Sequence, residues 1–134
     1  MNNRNWLIVA VLLAAVAVML GAFGAHGLKT LVAPQQIETF KTGVQYHFYH
    51  ALGIALAVIV SQFIDNQRIR AACRLFMLGI ACFSGSLYLF TFFEATGTEG
   101  SRLIGLLTPL GGVFFILGWL SLAFGIWRGE KNRQ

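Results

Sequence analysis

The residue types that can do chemistry in this chain gather at the ends of apolar runs. His26 and Lys29 close the first run, Glu38, Lys41, Gln45, Tyr46, His47 and His50 open the second, and Ser84, Tyr88 and Thr91 fall late in the third, followed by Glu94 and Glu99. Imidazoles, a carboxylate and tyrosines in one place suit a quinone headgroup, a lipid headgroup or a small anion. The plainer reading of the same residues is a satisfied network of hydrogen bonds and ion pairs that fixes the connection between the first two runs. Catalysis has less support, because there is no Ser/His/Asp order, paired-carboxylate pattern, HExxH or phosphate loop. The stretch Gly21-Ala-Phe-Gly24-Ala-His-Gly27 lacks GxGxxG spacing and a following strand. His47 and His50 share one helix at i and i+3, so a bis-histidine haem would need His26 opposite one of them, and no haem-attachment motif occurs. No cofactor or metal is expected. Cys73 and Cys82 lie in one apolar run without CxxC or zinc spacing and read as buried free thiols.

The elements that must position these groups follow from composition. Of 134 residues, 57% are apolar and only 11% charged, and the mean hydropathy is positive. A bilayer core of about 30 Å takes about 20 apolar residues per helix, and four such stretches use nearly the whole length. The expectation is therefore an all-α, integral membrane four-helix bundle, a single domain over 1–134 with helices at about 5–25, 35–64, 71–93 and 102–127. Arg4, the apolar residues 7–20 and Ala22-Phe-Gly24 resemble a signal peptide, but the run continues to Ala25, long enough to span.

In the first span Ala10, Ala14, Ala17 and Gly21 form a small-residue seam, and in the fourth Gly111, Gly118 and Gly125 repeat every seven residues; the two seams suit contact with each other. Gly27 is placed for a left-handed cap after His26. In the second span the outer residues sort into two polar sectors, Glu38, Thr42, Gln45 and Tyr49 against Gly43, Tyr46, His47 and His50, separated by a narrow apolar arc. With so little apolar arc, this half should be enclosed by protein or lie against water. His47 and His50 are expected one to two turns below the membrane surface, where Tyr88 could meet them. Residues 65–70 read as a basic turn, and Pro109 either kinks the fourth helix or starts it.

The net charge of +5 does not point to nucleic acid, because the cations cap apolar runs. Arg4, Arg68, Arg70, Arg74, Arg128, Lys131 and Arg133 share the side of the termini, against Lys29, Lys41 and Arg102 opposite. That asymmetry predicts both termini in the cytoplasm, with Trp6 and Trp127 in an inner aromatic belt.

The ordered motifs Gly21-Ala-Phe-Gly-Ala-His-Gly-Leu-Lys29, Thr42-Gly-Val-Gln-Tyr-His47 with Tyr49-His50-Ala51-Leu52, Phe83-Ser-Gly-Ser-Leu-Tyr88 and Thr108-Pro-Leu-Gly-Gly112 resemble those of the YgdD/YwdK-like family of small bacterial inner-membrane proteins, a domain-of-unknown-function family. The resemblance implies a four-helix protein of the bacterial inner membrane and supplies no reaction, substrate or cofactor. It maps family positions onto His26, Lys29, Gly43, Gln45, Tyr46, His50, Ser84, Ser86, Tyr88, Pro109, Gly111 and Gly112. His47 falls where many relatives have Gln, which favours His26 and His50. The functional expectation is a non-enzymatic membrane protein whose outer polar cluster, His26, Lys29, Glu38, Gln45, Tyr46, His50, Ser84 and Tyr88, binds a lipid, a small ligand or a partner membrane protein. The alternatives are an oligomeric transporter or permeation element and a quinone- or haem-linked redox protein. Expected partners are membrane lipids and either a homo-oligomer or another membrane protein.

Overall fold

The computed structural model describes residues 2–64, 67–98 and 102–131; Glu99 and Arg133 lie outside them. Over the described residues the chain consists of α1 (Asn3–His26), a 3-10 turn (Leu28–Thr30), α2 (Pro34–Val60), α3 (Gln67–Gly79), a π-helical turn (Ile80–Ser84), α4 (Gly85–Thr96) and α5 (Arg102–Lys131). Because α3, the π turn and α4 follow without a break, there are four helical spans long and apolar enough to cross a membrane: Asn3–Thr30, Pro34–Val60, Gln67–Thr96 and Ile104–Gly129. No strand occurs among the described residues.

The helix ends have local causes. The Asn2 side chain accepts from the Asn5 N–H at 2.9 Å and caps α1. Pro34, with its fixed φ and missing donor, opens α2. Gly97, at φ 64°, closes α4 in the left-handed region. Gly27 does not take that role: it keeps φ −72°, and the chain tightens into the 3-10 turn, in which Leu31 N–H bonds the Leu28 carbonyl at 3.0 Å. α2 stops at Val60 rather than Ile64, where the Ser61 hydroxyl donates to the Val58 carbonyl at 2.6 Å. α3 begins at Gln67, inside the stretch read as a turn, because Ile69 is fully buried against Gly125 of α5. α5 runs unbroken through Pro109.

α1 packs along α2, α2 against the third span, and α5 against α3 and the π turn. The two small-residue seams therefore do not meet. Each glycine of the α5 seam instead takes a bulky group from the third span: Gly111 the Phe83 backbone, Gly118 the Phe76 ring and Gly125 Ile69. A notch packs best against a knob, and this third span supplies the knobs. In α1, Ala10 and Ala17 are buried, while Gly21 and Gly24 lie against Val44 and Phe40 of α2. Trp6 is buried in the core with Ile54, Val58 and Ile69 and so does not join a surface belt, whereas Trp127 is exposed. Leu12, Met19, Ile116 and Phe124 are exposed, the apolar outer surface expected of a chain solvated by lipid.

Candidate functional site

Of the two polar sectors of α2, the one carrying Gly43, His47 and His50 turns inward, with its fourth member Tyr46 left 39% exposed at the edge, while Glu38, Thr42, Gln45 and Tyr49 are exposed. Gly43 decides this. A Cβ there would stand 3.0 Å from the Tyr88 ring and 3.2 Å from Leu87, so the glycine is what lets α4 come this close without either side chain giving way. The approach sets Tyr88 beside α2, with its hydroxyl 3.2 Å from His47 Nδ1.

His50 is fully engaged. Its Nδ1 lies 2.7 Å from the Tyr46 carbonyl, and its Nε2 lies 3.2 Å from the indole nitrogen of Trp119. A carbonyl only accepts and an indole N–H only donates, so Nδ1 carries the hydrogen and Nε2 accepts. The imidazole is thus neutral in one tautomer, stacked on Phe115 with ring centroids 3.4 Å apart and 9° between planes. It offers no free nitrogen to a ligand.

His47 is the histidine with something left over. Its Nε2 and the Ser84 hydroxyl are buried polar atoms without a hydrogen-bond partner among the described residues. The packing of Gly43 on Leu87 and Tyr88 carries Ser84, one turn further in, to the level of His47. Ser84 closes the π turn, an irregularity that shifts the usual i−4 hydrogen bonding and often accompanies function. Nearby, Ser86 donates to the Phe83 carbonyl at 2.8 Å and pairs with the Thr108 hydroxyl at 2.6 Å.

These groups lie deep. The Phe40 ring packs on Gly24 near the C-terminal end of α1, and His47 and His50 follow about two and nearly three turns further along α2, on the order of 10 and 15 Å from it. Both imidazoles therefore lie well inside the span Pro34–Val60.

The candidate residues therefore divide. Tyr46, His50, Ser84 and Tyr88 come together with His47. His26 and Lys29 are exposed at the end of α1 and in the 3-10 turn. Glu38 pairs with Lys41 at 2.7 Å on the exposed start of α2, and the Gln45 amide donates to the Tyr49 hydroxyl at 2.7 Å on the same face. Sequence reasoning passed over Phe115, Trp119 and Thr108 and gave His47 less weight. A tryptophan in mid-span, whose N–H needs a buried acceptor, was the available signal.

Beside this cluster, Phe23, Leu28, Leu31, Phe40, Tyr88 and Phe92 line most of a groove of about 570 Å³ between the end of α1, the start of α2 and α4. Tyr88 forms part of its wall on one side and bonds His47 on the other. No group of three or more His, Cys, Asp or Glu side chains able to hold a metal occurs among the described residues. Both cysteines are free, Cys73 buried and Cys82 half-buried. The arrangement can hydrogen-bond a neutral group and shelter an apolar chain.

A family model described as Protein of unknown function (DUF423) matches residues 20–112, which take in both inward histidines, the π turn and Gly111. The chain belongs to that family. Like other DUF423 relatives it is a membrane protein, and the similarity runs nearly end to end. The UPF0382 membrane protein of Haemophilus influenzae is 37% identical over 98% of this chain and 99% of its own length. YwdK of Bacillus subtilis, named a UPF0382 membrane protein, is 38% identical over 89% of this chain and 93% of its own. The UPF0382 inner membrane protein YgdD of Escherichia coli is 35% identical over 98% and 96%. No solved structure matches the chain.

Proposed function

We propose that this chain is a non-enzymatic integral protein of the bacterial inner membrane, with both termini in the cytoplasm, that holds an outer-leaflet phospholipid on its outward half. The observation that carries the reading is the groove of about 570 Å³. Its walls are apolar, as an acyl chain requires, and the 3-10 turn that supplies Leu28 to its lining also carries Lys29. Lys29 is exposed and pairs with no carboxylate among the described residues. The N-terminus of α2 opens a few residues further on, a second source of positive potential. A phosphate at the membrane surface takes the ammonium, and the chain descends past Tyr88. The cytoplasmic placement of the termini rests on the excess of Lys and Arg on that side, and the inner-membrane location on the relative YgdD, named an inner membrane protein.

Native mass spectrometry of protein released gently from its own membrane tests the binding. A phospholipid adduct is expected on the native chain. It should be lost from Ala95→Phe, which fills the groove, and weakened in Lys29→Gln. Bare protein, or an adduct indifferent to both changes, overturns the reading. A reporter fused after Gln134 should be cytoplasmic, and external labelling of a cysteine placed beside Arg68 overturns that orientation.

A further inference from the structure

We propose that the exposed polar face of α2, centred on Gln45 and Tyr49, is the interface with a second copy of this chain. Gly21 packs on Val44, more than a turn inside the outer end of α1, so Gln45 and Tyr49 lie at hydrocarbon depth. Both are exposed, Tyr49 by 52%. The Gln45 amide spends one N–H on the Tyr49 oxygen at 2.7 Å. That leaves the amide carbonyl, a second amide N–H and the phenol hydrogen facing lipid tails. Hydrocarbon offers them nothing, and polar groups at this depth are as a rule covered by protein.

The chemistry of the face selects its partner. Two copies inserted the same way and related by a twofold axis along the membrane normal bring residues of equal depth together. A glutamine amide, donor and acceptor at once, is complementary to itself, so Gln45 meets its own counterpart. One and two turns outward, Lys41 and Glu38 already neutralise each other within the chain at 2.7 Å, so this end of the stripe brings no net like-charge repulsion to a second copy. Next to Gln45 and Tyr49, Ala17, Gly21, Val44 and Phe48 line a shallow depression of about 290 Å³ that accepts a ring from the second copy. Leu110 on α5, exposed and level with Tyr46 because neighbouring Gly111 and Tyr46 both contact Phe83, offers no such group.

Cross-linking in native membranes tests this. With Cys73 and Cys82 changed to alanine, Gln45→Cys should oxidise to a disulfide-linked dimer much faster than Leu110→Cys at the same depth. Equal rates, or linkage to a different protein, overturn the proposal. Because cysteine removes the glutamine, a second measurement is made on the otherwise native chain: subunit counting by single-molecule photobleaching in liposomes. Gln45→Leu, which lipid tolerates, should weaken dimerisation about three- to tenfold, the size of a hydrogen bond between membrane helices. A wild-type monomer, or a dimer unmoved by Gln45→Leu, overturns it. Neither readout depends on the lipid groove, which uses other residues.

Discussion

The indole N–H of Trp119 donates across the bundle to His50 Nε2 at 3.2 Å, joining α5 to α2, two helices whose backbones otherwise approach little. The other imidazole nitrogen is fixed by the Tyr46 carbonyl, so this bond has one direction and its loss cannot be repaired by a change of tautomer. Trp119→Phe should lower stability by about 1 kcal/mol, the scale of a buried acceptor left unmet in a membrane bundle. Adding His50→Phe should recover part of the loss. Thermal unfolding in detergent of the two single variants and the double variant measures the coupling, and strictly additive losses would deny it.

Gly111 and Gly112 are neighbours with opposite expectations. A Cβ at Gly111 meets the Phe83 backbone, which cannot swing away, whereas one at Gly112 meets nothing within 4 Å. Gly111→Ala should cost about 3 kcal/mol, the upper range for overpacking, and Gly112→Ala should be neutral or slightly stabilising through helix propensity. The same unfolding assay distinguishes them.

Ser84 should be expendable for stability. Its hydroxyl is buried without a partner among the described residues, and removing an unmet polar group is neutral or favourable. Ser84→Ala is therefore expected to leave stability unchanged or raise it by up to about 1 kcal/mol, read as the melting temperature. A clear loss would mean that the hydroxyl is bonded in the membrane.

Gly97 is the described residue with positive φ, 64°. An alanine there carries a left-handed penalty of roughly 1 kcal/mol, though nothing crowds the added carbon. Gly97→Asn should recover most of the stability that Gly97→Ala loses, because asparagine tolerates this region.

The four spans were legible because uninterrupted apolar runs of bilayer length seldom arise except in helices that cross a membrane. The grouping of His47 and His50 with Gly43 was legible from helical phase. Which sector of α2 turns inward was not, because both are polar; the choice rests on Gly43 admitting Tyr88, a fit between two helices. The role of Trp119 was hidden for the same reason, since its acceptor lies in another span. Gly27 misled because glycine permits a left-handed cap without requiring one. The π turn has no residue signature at all: Ile80–Ser84 contains neither proline nor glycine, and its hydrogen-bond shift is a backbone property.

That turn also gives the third span two addresses. Winding one extra residue into a helix offsets everything beyond it by roughly a quarter revolution against an uninterrupted helix. Before the offset, Ile69 and Phe76 fill the glycines of α5, with Phe76 also against Gly53 of α2; after it, Leu87 and Tyr88 meet Gly43 of α2 while Ser86 bonds Thr108 of α5. A single rod thereby keeps both neighbours while changing the residues it turns to each. Deleting one residue between 80 and 84 would rotate Tyr88 away from His47 and Ser86 from Thr108 while leaving Phe76 against Trp119, uncoupling the two halves of the third span.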